Sequence, residues 1–382
     1  MDTLWIFNPE NDIALGNNLR RFTPPRNAML LRERGAMLPA WIAGDGDIIF
    51  TSNSADAKWL RDMAPILKKD IEILTTENIG RVKCVRPWGW SHAIADSLQR
   101  AGVPVGLMPD AEAIERIRLL SHRRSSVIIN RRLKDARIDV SMPVEISDTA
   151  LLPEYIRNHK SVVIKSPWSS SGRGVIYSDR MNASALLRHA EGTIKSQGSV
   201  LAEPRLDKIV DFAMLFEISE GNARYVGLSV FETLSGGNYT GNIIASEQYL
   251  SAIITQYVAS SCLERIRQSL GTILTDLIGN TYTGICGIDM MVYKDSTDCY
   301  RIAPCIELNL RYTMGYVAHC LARDIIAPGT VAKMHVTYTG NTPPSKNGTT
   351  FSPQFSSSNR LTNGTLPLIP SNQDFTITLT VE

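Results

Sequence analysis

The sequence CIELNLR at residues 305–311 alternates apolar and polar side chains. Successive side chains of a β-strand point to opposite faces, so the polar residues share one face and the apolar residues between them share the other. The polar face carries Glu307, Asn309 and Arg311. The stretch therefore predicts a strand with one apolar face and one face that carries charged and amide groups.

A second strand precedes this one. The sequence GIDMMVY at residues 287–293 is followed by a polar segment at 295–298, which predicts a turn between two antiparallel strands. Asp289 can then face the same way as Glu307 and Asn309. Two carboxylates and a carboxamide with converging oxygens are ligands that Mg²⁺ takes together with substrate phosphates. The alternative interpretation is the polar outer face of a half-exposed sheet.

The other informative stretch surrounds Lys165. The sequence SVVIK at residues 161–165 predicts a strand, the small-residue segment 166–174 predicts a loop, and VIY at 175–177 predicts a second strand. A lysine at the end of an apolar strand, beside a loop of small residues, suits polyphosphate, because the ammonium and the loop N–H groups can meet phosphate oxygens. Neither GxxxxGK[ST] nor GxGxxG is present. An ordinary hairpin turn is the alternative.

The N-terminal part of the chain has the pattern of an open α/β sheet. Short apolar runs alternate with helical stretches, which predicts a mostly parallel sheet over residues 1–110. The predicted strands are 4–7, 47–50 and 71–74, and the predicted helices include one from Ser91 to Arg100. The first strand ends in a polar cluster at 8–12, where open α/β sheets present ligand-facing loops.

The rest of the chain mixes helices with antiparallel strands. Helices are predicted over 111–126, 183–196 and 253–278, and strands over 200–202, 211–218 and 223–233. From about residue 339 the sequence is rich in Ser, Thr, Asn, Pro and Gly, and 375–381 then alternates as a strand. We expect an extended segment that returns to a sheet edge; a disordered linker is the alternative.

Composition restricts the classes of protein. The chain has 382 residues, and 40 Lys and Arg against 38 Asp and Glu give a formal charge of +2, which gives no reason to expect nucleic acid or an anionic membrane as the main partner. The N-terminus lacks a secretory pattern, and no apolar run approaches the ~20 residues of a membrane span. The cysteines show no CxxC pairing. We therefore expect a cytoplasmic protein with reduced thiols.

The order of these elements over roughly residues 115–325 resembles the ATP-grasp superfamily. The motif at Glu307, Asn309 and Arg311 is similar to the E-x-N-x-R of biotin carboxylases and carbamoyl phosphate synthetases, whereas Gly-Ile-Asp-Met at 287–290 and Gly315 are more similar to D-alanine–D-alanine ligases. The resemblance implies an α/β and α+β fold with a Rossmann-like domain before a two-subdomain ATP-grasp core. The implied boundaries are an N-terminal domain at 1–110, a small subdomain with a lid loop at 111–205, a large subdomain with a metal site at 206–338, and an extended tail at 339–382.

The same resemblance implies a role for each motif residue. Lys165 and Arg123 would bind phosphates, although a lysine is commoner at the position of Arg123. The lid over the phosphates would be Ser169, Ser170, Ser171, Gly172, Arg173 and Gly174. The segment from Val200 through Glu203 to Leu206 would form the hinge whose backbone reads adenine. Asp211 would bind the ribose, although the segment 207–211 is a residue longer than usual. Two Mg²⁺ ions, which Mn²⁺ could replace, would be held by Asp289, Glu307 and Asn309, and Arg311 would stabilise charge on the transferring group.

These roles imply an ATP- and Mg²⁺-dependent ligase that joins a carboxylate to an amine through an acyl phosphate. Its partners would be the small-molecule carboxylate and amine, without nucleic acid or membrane. A kinase with the same nucleotide site and a non-catalytic nucleotide-binding module are the alternative functions. Faces of the N-terminal elements could form a dimer contact, so a homodimer stays open.

Three further groups have two interpretations each. The polar residues Asn8, Glu10, Asn11 and Asp12 either contribute to an acceptor site or cap and turn the chain. Trp88 and Trp90 either pack in a core or line a cleft. The glycine-rich stretch 234–242 is either a loop that closes over substrate, with Tyr239 and Asn242 as its polar contacts, or a surface loop.

Overall fold

The N-terminal unit is a parallel sheet with short strands. A computed structural model describes residues 2–169, 174–234, 236–338, 352–372 and 375–381. Within that part of the chain, the sheet has the order β3-β2-β1-β4, with β1 Thr3–Ile6, β2 Ile48–Ile49, β3 Glu72–Ile73 and β4 Cys84–Pro87. The helices of this unit are α1 Asn11–Asn17, α2 Arg26–Arg34, α3 Asp56–Leu67 and α4 His92–Arg100. The strand order reverses between β1 and β4, so the loops that follow these strands meet at one edge of the sheet.

A small antiparallel sheet follows. Its elements are α5 Ala111–Leu120, α6 Arg124–Asp135, β5 Val144–Ile146, α7 Leu152–Arg157, β6 Val162–Lys165, β7 Val175–Tyr177, α8 Ala183–Gln197 and β8 Val200–Pro204, and the strand order is β5-β8-β6-β7. The expected hairpin around Lys165 is present, because β6 and β7 pair antiparallel. Ile164 and Ala202 are buried in the core of this sheet with Leu186 of α8.

The helix predicted over 111–126 is two helices. Helix α5 ends at Leu120, and α6 begins at Arg124 and ends at Asp135. The break occurs where the backbone N–H of Arg123 donates to the carbonyl of Pro167 at 3.1 Å, instead of to a carbonyl of its own helix. The tertiary contact therefore overrides the local helical pattern and places Arg123 beside the loop that follows Lys165.

In the described residues the large sheet has nine antiparallel strands in the order β13-β12-β9-β10-β11-β14-β17-β16-β15. The strands are β9 Asp207–Ser219, β10 Asn222–Thr233, β11 Tyr239–Ile244, β12 Gly284–Lys294, β13 Tyr300–Asn309, β14 Ala332–Tyr338, β15 Gln354–Phe355, β16 Leu361–Pro367 and β17 Phe375–Val381. Helices α9 Glu247–Thr255 and α10 Ser260–Ile278 pack with one face, and α11 Met314–Asp324 packs with the other.

Three expectations about this region are wrong. The helix predicted over 253–278 is interrupted after Thr255, and Tyr257 and Val258 pack against the core there. Part of the predicted loop 234–242 belongs to strand β11. Strand β17 does not lie at a sheet edge, because it pairs with β14 on one side and β16 on the other.

The C-terminal strands share one core with the N-terminal unit. Leu366 and Leu379 are buried in the same cluster as Trp41 and Val317. The indole N–H of Trp41 donates to the carbonyl of Leu368 at 2.6 Å. Strands β16 and β17 of the expected extended segment are therefore part of the core of the fold. Among the described helices, none has the length and apolar character that crossing a membrane requires.

Candidate nucleotide and metal site

A cleft of about 720 Å³ separates the small sheet from the large sheet. Strands β6, β7 and β8 form one wall, and β9, β10, β12 and β13 form the other. The cleft brings together most of the residues that the sequence singled out, namely Arg123, Lys165, Ser169, Glu203, Leu206, Asp211, Asp289, Glu307, Asn309 and Arg311. Gly174 closes the loop that leads into it, and Ser170, Ser171, Gly172 and Arg173 lie outside the described residues.

Lys165 lies at the end of strand β6 and is 7% exposed. Its ammonium forms an ion pair with Glu203 of the neighbouring strand β8. The loop that follows is closed at its base, because the N–H of Ser166 donates to the carbonyl of Gly174 at 2.8 Å. Gly174 has φ +74°, and a β-carbon there would lie 2.7 Å from the Ser166 hydroxyl oxygen. Only glycine suits both conditions, so the loop base has a fixed shape.

Arg123 crosses the cleft to Glu307. Its Nη2 donates to both carboxylate oxygens of Glu307, at 3.0 and 2.9 Å, and its Nη1 donates to the carbonyl of Ser166 at 3.1 Å. The Nε of Arg123 is buried without a hydrogen-bond acceptor among the described residues. Charge-assisted bonds of this kind are short and strong. The carboxylate of Glu307 is therefore held by a cation that lies between helices α5 and α6.

Two carboxylates face each other across neighbouring strands. Asp289 of β12 and Glu307 of β13 are direct cross-strand partners, and Asn309 is opposite Gly287. Burial, followed by repulsion from Glu307, raises the pKa of Asp289 from 3.8 to about 7, while a hydrogen bond from Asn309 acts in the opposite direction. Two adjacent carboxylates that cannot both ionise without cost form a site that favours a cation.

The donor set fits Mg²⁺ that is shared with a phosphate ligand. Within the described residues, no group of three or more His, Cys, Asp or Glu side chains could hold a metal ion. The candidate set instead consists of Asp289 and Glu307 with the amide oxygen of Asn309. Mg²⁺ is usually bound through one or two carboxylates together with waters and substrate phosphates. The residues therefore fit an ion that binds with a nucleotide better than a self-contained metal centre.

Replacing Asp289 with Asn is expected to change how stability depends on pH in the metal-free protein. Because the folded carboxyl keeps its proton up to about pH 7, its contribution to stability is complete below about pH 4 and is lost as the pH rises to about 7. The Asn side chain does not titrate, so the variant lacks this loss. The free energy of unfolding of the variant should therefore rise relative to that of the wild type between about pH 4 and pH 7. Urea unfolding at a series of pH values measures the difference. A difference that stays constant with pH would contradict the prediction.

Arg311 lies two residues beyond strand β13, which ends at Asn309 and is shorter than the sequence predicted, and it reaches the N-terminal unit. Its Nε donates to the Asp12 carboxylate at 2.9 and 3.2 Å, and its Nη2 lies 2.8 Å from the same group. Burial acts to lower the pKa of Arg311, but the charge of Asp12, its hydrogen bond and the charges of Glu307 and Asp289 together raise this pKa above its usual value. Both side chains are largely buried, with 17% and 14% of their surface exposed. Asp12 is the member of the N-terminal polar cluster that contacts a cleft residue.

The other members of that cluster, Asn8, Glu10 and Asn11, contact neighbouring loops and helices of the N-terminal unit. The Asn8 amide exchanges two hydrogen bonds with the backbone of Gly89, at 2.8 and 3.3 Å. The Asn11 amide lies 2.9 Å from the carbonyl of Gly89. Glu10 pairs with Arg32 at 2.8 Å. The contacts of Asn8 and Asn11 tie the loop after β1 to the loop after β4, and the Glu10 pair ties it to helix α2.

The two tryptophans pack in hydrophobic cores. Trp88 is buried and makes an edge-to-face contact with Phe7, with ring centroids 4.9 Å apart. Trp90 packs against two of the core clusters. Neither residue lines the cleft. The packing interpretation is therefore the correct one for both.

A polar chain in the floor of the cleft was only partly found from the sequence. The Tyr239 hydroxyl donates to the Asn242 amide oxygen, and the Asn242 amide nitrogen donates to the Ser229 hydroxyl at 2.7 Å. Burial raises the pKa of Tyr239 well above its usual value. Ser229 gave no sequence signal, because one serine in an apolar strand is common. A β-carbon on Gly315 would lie 2.5 Å from the Ser229 hydroxyl oxygen, so this glycine lets α11 approach the floor closely.

Asp211 also has partners that the sequence did not reveal. Its carboxylate accepts from the Lys208 ammonium at 2.6 Å and from the Thr233 hydroxyl at 2.7 Å. Apolar and aromatic side chains also line the cleft, namely Val163, Val175, Tyr177, Leu206, Phe231, Met291 and Ile306. The cleft therefore combines an apolar region with a charged region that holds both cations and carboxylates.

The fold is similar to that of several solved structures. N5-carboxyaminoimidazole synthetase from Staphylococcus aureus matches with a TM-score of 0.50 and 11% identity, over 100% of this chain and 93% of that chain. Biotin carboxylase from Campylobacter jejuni, solved as a complex with a β,γ ATP ligand, matches with a TM-score of 0.54 and 11% identity, over 100% and 87%. The biotin carboxylase domain dimer of Hydrogenobacter thermophilus 2-oxoglutarate carboxylase, solved with MgADP, ADP and bicarbonate, matches with a TM-score of 0.52 and 11% identity, over 100% and 86%.

These likenesses define the class of the fold. The chain has the ATP-grasp fold, as the order of its motifs predicted. No family model matches the sequence, and no curated protein matches it significantly.

Proposed function

We propose that this chain is an ATP- and Mg²⁺-dependent ligase that joins a carboxylate to an amine through an acyl phosphate. The observation that carries the proposal is the convergence of three buried cations and two facing carboxylates in one cleft of an ATP-grasp fold. The cations are Arg123, Lys165 and Arg311, and the carboxylates are Asp289 and Glu307. The similar structures from Campylobacter jejuni and Hydrogenobacter thermophilus were solved with adenine nucleotides, which supports this use of the cleft.

The nucleotide would lie with its base in the apolar region. The backbone from Glu203 to Leu206 would read the adenine edge, and Asp211 would accept from the ribose hydroxyls. Lys165 and Arg123 would bind the phosphates, and the loop from Ser169 to Gly174 would cover them. Burial strengthens such charge-assisted contacts, because little water competes for them.

Asp289, Glu307 and Asn309 would hold Mg²⁺, as two ions, with the phosphates completing the coordination. Bound there, Mg²⁺ would neutralise phosphate charge and orient the γ-phosphate. Arg123 now occupies both oxygens of Glu307. On binding, Arg123 would transfer its hydrogen bonds to a phosphate, and Glu307 would become free to act as a ligand.

The chemistry then needs no protein nucleophile. A substrate carboxylate oxygen attacks the γ-phosphorus, the bond from that phosphorus to the oxygen it shares with the β-phosphate breaks, and ADP leaves with the electron pair. The amine attacks the carbonyl carbon of the acyl phosphate, phosphate leaves, and the amine loses a proton. Arg311 would stabilise negative charge on the transferring group, since electrostatic stabilisation and positioning dominate phosphoryl transfer.

The first test is calorimetric titration of ATP and GTP with and without Mg²⁺. Mg²⁺-dependent binding that favours ATP is the expected result, and it is followed by a screen of carboxylate and amine pairs for ADP release. ADP release that requires both substrates supports the ligase, whereas a phosphorylated product without amine consumption would assign a kinase. Absence of nucleotide binding would refute the proposal.

A further inference from the structure

The orientation of the Arg311 guanidinium is determined by two groups. A guanidinium has five N–H donors in a rigid plane. The Asp12 carboxylate lies along the side that carries Nε and Nη2, and the carbonyl of Tyr312 accepts from Nη1 at 3.3 Å. Among the residues that the structure describes, Arg311 has no further acceptor. One N–H of Nη1 and one of Nη2 remain without an acceptor among the described residues, and the end of the guanidinium that carries Nη1 and Nη2 is its outer edge.

Asp12 is itself held in place on several sides. It lies in the first turn of α1, and the residue before it is bound to the loop after β4. The other end of α1 is fixed because Arg118 donates to the carbonyl of Leu15 at 2.8 Å. Helix α1 also packs closely on Trp168, since a β-carbon on Gly16 would lie 3.2 Å from the β-carbon of Trp168. The N-terminal unit therefore presents the Asp12 carboxylate as a fixed point.

We propose that Asp12 is a positioning residue, which aims the outer edge of Arg311 at an oxyanion in the cleft. The oxyanion is a tetrahedral phosphate oxygen pair, as on the transferred phosphoryl group or the released phosphate. An edge with two parallel N–H groups binds two oxygens of one anion, but only if the plane of the guanidinium is correctly oriented. This inference rests on the proposed function, and it gives the N-terminal unit a part in the site.

The test uses inorganic phosphate as the probe, titrated by calorimetry into protein saturated with MgADP. Asp12→Glu keeps the negative charge but displaces it by one methylene, so it separates positioning from mere charge balance. Asp12→Asn removes the charge. For both variants the affinity for phosphate is expected to fall roughly tenfold, the order of one charge-assisted hydrogen bond, while the affinity for MgADP stays within about twofold of the wild type.

A double-variant cycle shows whether Asp12 acts through Arg311. Arg311→Gln alone should weaken phosphate binding at least as much as the Asp12 variants, and adding Asp12→Asn to it should cause no further loss. Arg32→Gln is the matched control, because it breaks the other ion pair of the same loop without touching Arg311. It should leave phosphate affinity unchanged.

The outcomes are distinct from those of the proposed function. Failure of the wild type to bind MgADP would refute the nucleotide site itself. MgADP binding without phosphate binding would overturn the inference about Asp12 alone. Phosphate affinity that is unchanged in Asp12→Glu, or losses that add in the double variant, would also overturn it. Equal melting temperatures for Asp12→Glu and wild type confirm that the comparison concerns the site and not folding.

Discussion

Glu307→Gln is expected to abolish the gain in ATP affinity that Mg²⁺ provides, and to lower acceptor-dependent ADP release by about a thousandfold or more. The variant keeps the shape of the side chain but removes the charge. A neutral amide is a poor ligand for Mg²⁺, and it leaves Asp289 as the remaining carboxylate of the pair. ATP titrations in Mg²⁺ and in EDTA measure the effect directly, without knowledge of the acceptor.

The structure offers a second consequence of the same substitution and a control. Arg123 loses the carboxylate that holds it, so ATP affinity in EDTA should stay equal or rise, because that cation is free for a phosphate. Glu217→Gln is the control, since this residue lies on strand β9 of the same sheet and pairs with exposed Arg224. If Glu307→Gln retains the full Mg²⁺ dependence, the assignment of the metal ligands is wrong.

Lys165→Met is expected to weaken ATP binding by about a hundredfold, the order that loss of two charge-assisted hydrogen bonds produces. Methionine keeps most of the buried volume of the side chain. The substitution leaves Glu203 partly buried and unpaired, so the stability of the small subdomain should fall as well. Calorimetry and thermal unfolding measure the two effects separately.

Variants of Glu203 separate these effects. Glu203→Gln alone frees the Lys165 ammonium, so it should bind ATP at least as tightly as the wild type. In the double variant Lys165→Met/Glu203→Gln, the melting temperature should recover, while ATP affinity should not. Recovery of ATP affinity in the double variant would show that Lys165 acts through folding and does not bind phosphate.

Local patterns predicted the strands and turns that carry the candidate site. The alternation at 305–311 correctly places Glu307 and Asn309 on the cleft side, because the period of a strand is a local property. The pairing of Asp289 with Glu307 also follows from one hairpin. The ATP-grasp fold, which the order of such motifs implied, is confirmed by the similarity to solved structures.

Long-range contacts were not predictable in the same way. Arg123 meets Glu307 across 184 positions of sequence, and Asp12 meets Arg311 across 299. The sequence around each residue gives no indication of its distant partner. Arg123, Lys165 and Arg311 therefore appeared unpaired in the sequence, although each forms an ion pair in the structure.

The hydrophobic core that the N-terminal unit shares with the C-terminal strands has a consequence for the folding pathway. Trp41 cannot be fully buried until the segment around Leu368 has folded against it. That segment supplies the acceptor for the indole N–H and apolar side chains of the same cluster. Contacts separated by hundreds of residues raise the contact order, and high contact order slows folding. The N-terminal unit is translated first, but its core stays incompletely packed until the C-terminal strands are present. Loss of residues 361–381 would therefore leave this core incompletely packed.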